Sequence, residues 1–252
     1  MTELFVSTRI LANMPFDQVM KELHLRINQT AKNNIRKQHK RQYTPFINNS
    51  DKKEIILSQN VGRELGHPRQ NSLAFIAWTK ETVARDQITL IGKDILEASD
   101  LHMDFGKVIL LNVTGFEPDN TYDRYQELDL LRFKLNLHGY MMRAASQQMR
   151  EWSRISQHAL KQGLSLFDLG SAWIDLYSQV PYVTAVEVIL TTEDNFINQL
   201  NPISQYVLQY VRAMMKMHEE VSLDCSSCDY QNVCNEVQSL RTMRKNILEK
   251  LK

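Results

Sequence analysis

Hydrophobic residues recur at helical spacing near the start of the chain. Phe16, Val19, Met20, Leu23 and Ile27 follow one another at one-, three- and four-residue steps. The residue before them is a proline, which suits the first turn of a helix. The pattern predicts an N-terminal amphipathic helix.

A basic, polar stretch follows this helix and runs to about residue 45. Such a row of cations could dock on a phosphate-bearing ligand or an acidic partner. Acidic residues elsewhere balance the charge, so we interpret the stretch as a solvated helix face followed by a linker. Its basic members are Arg26, Lys32, Arg36, Lys37, His39, Lys40 and Arg41.

From residue 54 the pattern changes to short runs of β-forming residues separated by turns. Gly92 directly follows one of these runs and Gly106 directly precedes another, which is typical of turns. A later run, residues 182–191, is nearly continuously apolar, which is typical of a central strand buried on both faces. The earlier runs that predict strands are residues 54–58, 73–78, 87–91 and 107–113.

The second half of the chain returns to helical spacing. Apolar residues recur at three- and four-residue steps over 120–162, with Gly139 as a kink or break. A second helix begins at Ser165 or Asp168 as its cap and ends at Pro181. The pattern predicts two further helices, at residues 202–220 and 235–250.

These elements predict an α+β fold. We expect a mixed β-sheet of about five strands covered by a helical hairpin, with an N-terminal helix and a C-terminal helical tail that carries the cysteines. The expected domains are residues 1–50 (helix and basic linker), 51–221 (the α+β domain) and 222–252 (the metal-binding tail).

Composition narrows the class of protein. The chain has 252 residues, a formal net charge of +1, 43% hydrophobic residues and 23% charged residues, which are ordinary values for a globular protein. This charge does not favour a nucleic-acid partner. No apolar run approaches the roughly 20 residues that cross a bilayer, so we expect no membrane partner. Without a visible targeting segment, the expected compartment is the cytoplasm.

All cysteines of the chain, Cys225, Cys228 and Cys234, fall within ten residues. A C-x2-C pair with a third cysteine six residues on is typical of thiolate metal sites. The odd number argues against a disulfide framework. We favour a [4Fe-4S] cluster over zinc, and either over a metal-free thiol cluster. Both metals need a fourth ligand, for which Asp224, Asp229, His218, water, a small molecule or a partner's thiolate are candidates.

Arginines recur along the segment that is predicted to be helical. Arg143, Arg150 and Arg154 could share part of one helix face and bind an anionic ligand. Solvated arginines paired with acidic residues explain the pattern equally well. The chain contains no Gly-rich phosphate loop, no H-E-x-x-H and no G-x-S-x-G motif, so we predict no catalytic residue.

The order of several motifs resembles a known family. These motifs are E-L-G at residues 64–66, I-T-L-I-G-K-D-I at 88–95, W-S-R-I-S-Q-H-A-L-K-Q-G at 152–163, the strand at 186–192 and the C-x2-C pair. Together they resemble the middle domain and the start of the metal-binding region of the β subunit of CO-methylating acetyl-CoA synthase. That subunit belongs to the carbon monoxide dehydrogenase/acetyl-CoA synthase complex, and the resemblance spans about two-thirds of this chain.

The resemblance implies an α+β module associated with coenzyme A access, followed by a cubane bridged to a two-nickel centre. This chain departs from that pattern. It has three cysteines where the family has four, it lacks the family's C-x-C nickel element, and it ends at Lys252 without a counterpart of the nickel domain. Arg143 stands where the family has a tryptophan implicated in coenzyme A binding. We therefore expect no nickel site and no complete synthase.

Three functional hypotheses follow. The first is an iron-sulfur protein that acts as an accessory, electron-transfer or maturation component of one-carbon and acetyl-CoA metabolism, with a protein partner. The second is a subunit that binds coenzyme A or another anionic ligand while a partner supplies nickel. The third is a structural zinc protein used for interaction.

Overall fold

The computed structural model describes residues 16–30, 32–50, 52–80, 82–219 and 228–250. The α+β class is confirmed: mixed sheets combine with an N-terminal helix and C-terminal helices. The strands are β1 Ile35–His39, β2 Val61–Leu65, β3 Ser72–Thr79, β4 Gln87–Ile91, β5 His102–Met103, β6 Phe105–Val113, β7 Tyr140–Ser146, β8 Arg150–Ser156 and β9 Val183–Thr191.

The helices of the described residues are α1 Phe16–Gln29, α2 Thr121–Leu131, α3 Gln157–Lys161, α4 Leu166–Ser178, α5 Asp194–Glu219, α6 Gln231–Glu236 and α7 Gln238–Lys250. Short 3-10 turns lie at Lys32–Asn34, Thr44–Phe46 and Ser58–Asn60. None of the helices in these described parts could span a lipid bilayer.

The strands form two sheets. The five-stranded sheet has the order β1-β4-β9-β6-β3, and the four-stranded sheet has the order β5-β2-β8-β7. Strand β9 lies at the centre of the larger sheet, parallel to β4 and antiparallel to β6. The prediction of a central strand is therefore confirmed. Residues 186–191 of β9 are buried, because neighbouring strands flank β9 on both sides and helices pack against the sheet.

Helices pack against the larger sheet. Helix α4 contacts β9 and β4, and α5 contacts β3 and β6. The predicted cap of α4 is confirmed, because the Ser165 and Asp168 side chains form a reciprocal capping box. Helix α5 begins at Asp194, eight residues before the predicted start, and includes Pro202 within its first turns.

The helical pattern predicted over 120–162 is correct only at its two ends, in α2 and α3. Residues 140–156 instead form the antiparallel hairpin β7–β8. In β8 the side chains of Glu151, Ser153 and Ile155 are buried, so the strand alternates inward and outward residues as a half-buried strand should. The hydropathy pattern of the sequence does not show this alternation, because two of the three inward residues are polar.

Two other expectations differ from the structure. Residues 54–57 form no strand, because Ile55 and Leu57 are exposed and a 3-10 turn follows at once. The basic stretch after α1 contains β1, which pairs antiparallel with β4 at the sheet edge. A polar edge strand of this kind shields the sheet from pairing with other chains. The division into three domains stays a prediction.

Candidate functional site

The predicted arginine row lies on a strand rather than a helix. Arg150, Trp152 and Arg154 alternate with the buried residues of β8 and therefore share its opposite face. Arg143 lies on the neighbouring strand at a register shift between Met142 and Ala144. A bulge of this kind redirects a side chain away from the regular alternation.

Two of these arginines contact one indole ring. The guanidinium carbons of Arg143 and Arg154 lie 5.1 and 5.8 Å from the centroid of Trp152. Arg154 is half-buried, and its Nε donates to Glu64 Oε1 at 2.7 Å while Nη1 donates to the Ile56 carbonyl at 3.2 Å. Its role is therefore to join β8 to β2. Arg143 is exposed, and within the described ranges its side chain makes no hydrogen bond or ion pair besides this ring contact.

Arg150 lies elsewhere, in a polar cleft of about 470 Å³. The cleft runs between the start of β3, the β7–β8 turn and α5, and Arg212 of α5 lines it as well. None of the described lining residues carries a carboxylate. The other lining residues are Asn71, Ser72, Gln148, Met149, Asn201, Ser204, Gln205 and Leu208. Two guanidinium groups beside amides and hydroxyls make a site suited to an anion.

The turn that presents Arg150 has an unusual backbone. Ser146 pairs with Arg150, so three residues form the hairpin loop, and the last of them, Met149, has a φ of 59°. A left-handed third residue is typical of such loops but normally requires glycine or asparagine. The Met149 carbonyl accepts from the Ala74 amide at 2.6 Å, which anchors the turn to β3. The cleft wall is thereby held against the larger sheet.

A second, more apolar cavity of about 340 Å³ adjoins the cleft. Met149, Leu208 and Arg212 line both. Its further apolar walls are Tyr122, Tyr125, Leu130, Val211 and Met215. Asp129 also lines it, and burial raises the pKa of that carboxyl although Arg132 beside it acts in the opposite direction. Arg212 therefore lies between the polar cleft, which it lines together with Arg150, and the more apolar cavity.

The cysteine segment is described only in part, since Cys225 and Asp224 lie outside the described residues. Cys228 is half-buried before α6, and Cys234 is buried within α6. Asp229 is exposed. His218 is exposed too, and its Nε2 lies 3.5 Å from Asp123 Oδ1 at the start of α2. The predicted ligand set therefore stays a prediction.

Among the described residues, one other group has metal-ligand spacing: Glu64, His67 and His102. It lies on the four-stranded sheet beside Arg154. These three residues are scattered over 39 positions and show no motif spacing, so no local pattern predicts the group.

Comparison with protein families finds a match over much of the chain. Residues 49–197 match CdhC, the CO dehydrogenase/acetyl-CoA synthase complex beta subunit, over more than half of the 252 residues. The chain belongs to this beta-subunit family. The predicted resemblance to the beta subunit is thus confirmed, over a stretch consistent with a partial middle domain. A search of the curated proteins finds no match.

The CdhC match covers some candidate residues and omits others. It runs from the segment before β2 to the start of α5 and includes Arg143, Arg150 and Arg154. Arg212 and the three cysteines lie beyond it. Arg212 was missed by the sequence analysis, because it lies on a long amphipathic helix where an isolated arginine is unremarkable. Only the packing of α5 beside the β7–β8 turn brings it to the cleft.

Proposed function

We propose that this chain is a component of a CO dehydrogenase/acetyl-CoA synthase-type complex and that it binds a phosphate-bearing ligand, coenzyme A, in the arginine cleft. One observation carries the proposal. Arg150 and Arg212 line a cleft of about 470 Å³ without a carboxylate among the described lining residues. Family membership supports the choice of ligand, since the complex is named for acetyl-CoA synthesis.

The arginine cleft suits the phosphates of coenzyme A, and the adjoining apolar cavity suits its pantetheine arm. Phosphates accept paired hydrogen bonds from planar guanidinium groups. Arg150 already donates one hydrogen bond from Nη2 to the Gln70 carbonyl at 2.9 Å, which positions its guanidinium and leaves further donors for a ligand. The uncharged pantetheine arm would extend past Arg212 into the apolar cavity. Arg143 lines a separate pocket and is not part of this site.

Calorimetric titration of the full chain with coenzyme A tests the proposal. We expect Arg150→Ala and Arg212→Ala each to weaken binding at least about tenfold, because a hydrogen bond to a charged group contributes about 1.5–3 kcal/mol. Pantetheine, which lacks the phosphates, should bind weakly to all variants. Arg85→Ala is the matched control, since Arg85 is an exposed arginine that also donates to a carbonyl, that of Thr184 at 2.9 Å.

The affinities of the variants distinguish the arginine cleft from other binding sites. Loss of binding in both cleft variants with normal binding in the Arg85 variant supports the site. Equal affinity of the wild type and the Arg212 variant would contradict it. If Arg143→Ala alone weakened binding, the ligand would belong to the separate pocket that Arg143 lines.

A second candidate function concerns the cysteine segment. We propose that Cys225, Cys228 and Cys234 bind a [4Fe-4S] cluster and that the protein serves its complex in an accessory, electron-transfer or maturation role. The supporting observation is the placement of the last two thiols. Cys228 lies three residues before the start of α6, and its carbonyl accepts from the Gln231 amide at 3.1 Å. Cys234 lies within α6. Three thiolates would leave one iron open to Asp224, Asp229, His218 or a partner's ligand.

Metal analysis of protein purified without oxygen tests this second proposal. About four irons and four sulfides per chain with a brown colour are expected. Substitution of the three cysteines by serine should remove both the iron and the colour. One zinc per chain and a colourless preparation would instead make the segment a structural zinc site. Unchanged metal content in the triple variant would exclude both readings.

A further inference from the structure

Two strands and a tight turn bring three ligand-type side chains together. Glu64 lies on β2, and His102 is its direct partner in the parallel pairing of β2 with β5. His67 follows three residues after Glu64. Glu64 Oε2 lies 3.1 Å from His102 Nδ1 and 3.7 Å from His67 Nε2, and one ligand atom from each residue lies within 4.8 Å of the others.

A turn in the backbone between Glu64 and His67 allows their two side chains to come close together. Gly66 has a φ of 64°, and a Cβ there would lie 2.2 Å from the Glu151 carbonyl oxygen. Only glycine fits that position, because both the left-handed conformation and the contact exclude a side chain. The chain therefore turns back at the end of β2 and places the His67 ring beside the carboxylate.

The carboxylate is buried and oriented. Glu64 is 5% exposed, and the Arg154 Nε donates to its Oε1 at 2.7 Å. This leaves Oε2 directed towards the two imidazoles. Hydrogen bonds from outside a metal site orient ligating carboxylates in the same way. The rings of His67 and His102 lie 4.3 Å apart, and His67 meets Trp152 edge-on at 5.2 Å.

One nitrogen of the cluster lacks a regular partner. His102 Nδ1 is buried and lies at ion-pair distance from Glu64 Oε2, but it makes no hydrogen bond of good geometry to any described residue. A buried polar atom without a hydrogen bond is costly, so it is retained where something else satisfies it. A metal ion between the imidazoles and Oε2 would use this lone pair.

We propose that Glu64, His67 and His102 bind a divalent transition-metal ion, with Zn²⁺ as the reference ion. Two imidazoles and one carboxylate suit Zn²⁺ and Co²⁺, and three protein ligands leave one position for water or another donor. Arg154 neutralises the charge of Glu64, so the site attracts a cation through its nitrogen donors rather than through negative charge. Mg²⁺ and Ca²⁺, which prefer oxygen ligands, should not bind.

Binding requires one small change at His67. Its Nδ1 accepts from the Arg69 amide at 3.2 Å, which places the proton on Nε2 in the neutral ring. Ligation through Nε2 moves that proton to Nδ1 and breaks this long hydrogen bond. The loss is small beside the gain of a metal bond.

Tryptophan fluorescence gives a readout that is specific to this site. Trp152 contacts His67, whereas Trp78 and Trp173 are buried elsewhere in the core. We expect Co²⁺ to quench the emission of the metal-free full chain saturably and Zn²⁺ to compete with it. Trp152→Phe should remove most of the quenching without removing the bound cobalt. Millimolar Mg²⁺ should have no effect.

Ligand variants complete the test. His102→Ala should weaken Co²⁺ quenching at least tenfold, and it should fold normally because the His102 side chain is 40% exposed. His138→Gln is the matched control, because His138 also faces a carboxylate, Glu54 Oε2 at 3.0 Å, outside the cluster. A variant with all three cysteines changed to serine should keep the quenching. Unchanged quenching in His102→Ala, or its loss in the cysteine variant, would overturn the proposal.

Discussion

Lys107 and Glu151 form an ion pair between the two sheets, with Lys107 Nζ 2.5 Å from Glu151 Oε2. Lys107 lies on β6 and Glu151 on β8, and both side chains are excluded from solvent. The Tyr140 hydroxyl donates to Glu151 Oε1 at 3.1 Å, and Lys107 Nζ lies 3.8 Å above the Trp173 ring. Burial lowers the pKa of Lys107, whereas the attraction of Glu151 opposes that shift.

The first prediction follows from this pair. Lys107→Met should lower the free energy of unfolding by about 3–5 kcal/mol, because Glu151 is left as a buried carboxylate without its cation. The double variant Lys107→Met with Glu151→Leu should lose less than the single variant, since it removes both charges. Urea unfolding of the two single variants and the double variant measures this coupling. Additive losses would show that the pair contributes no coupling energy.

A second prediction concerns pH. His24 Nε2 lies 3.3 Å from the buried Glu187, and this hydrogen bond raises the pKa of His24 above its ordinary value of 6.5, although burial and Lys37 oppose it. The protonated imidazole is therefore favoured in the folded state. Its contribution to stability is complete below pH 6.5 and is lost as the pH rises through the raised pKa.

The comparison with His24→Gln measures that contribution. The wild type should be more stable than the variant at about pH 5.5, and the difference should shrink towards about pH 8.5. Thermal unfolding at several pH values gives the curve. A constant difference across this range would mean that His24 does not gain protons on folding.

Gly139 provides the third prediction. Its φ is 77°, and a Cβ there would lie 2.1 Å from the Cβ of Ala159. Gly139→Ala should therefore cost more than the roughly 1–3 kcal/mol of backbone strain alone. Gly163→Ala is the matched control, since Gly163 has a φ of 87° with no atom within 4 Å of an added Cβ. Equal losses in chemical unfolding would show that the contact with Ala159 relaxes freely.

The fourth prediction tests the cap of α4. Asp168 N donates to Ser165 Oγ at 3.2 Å, and Ser165 N donates to Asp168 Oδ2 at 2.9 Å. Ser165→Ala should lower the free energy of unfolding by about 0.5–2 kcal/mol, while Ser165→Thr should keep most of it. Arg41 also donates to Ser165 Oγ at 2.5 Å, so the alanine variant loses that bond as well. Stability equal to the wild type would indicate that water replaces the cap.

Some features of this protein followed from local chemistry. The cap of α4, predicted at Ser165 or Asp168, and the central position of β9 were both predicted correctly. A cap depends on residues three positions apart, and a strand buried on both faces must be apolar throughout. The family could also be recognised from the order of motifs, which the match over residues 49–197 confirms.

The hairpin β7–β8 shows where local patterns mislead. Glu151 is buried in a strand only because Lys107 on another sheet neutralises it. Neither residue carries a local signal of that pairing, so the alternation of β8 looked polar throughout. The arginines of this segment were assigned to one helix face for the same reason.

Residue order alone was enough to predict the fold class, the cap, the central strand, the family and the three-cysteine motif, because each depends on neighbours in the chain or on the order of motifs. The packing of the folded chain sets which distant side chains meet. It separated Arg150 from Arg143, placed Arg212 beside Arg150, and joined Glu64 to His102. Those contacts depend on strand pairing and helix packing between segments far apart in the chain, for which local residue patterns carry no signal.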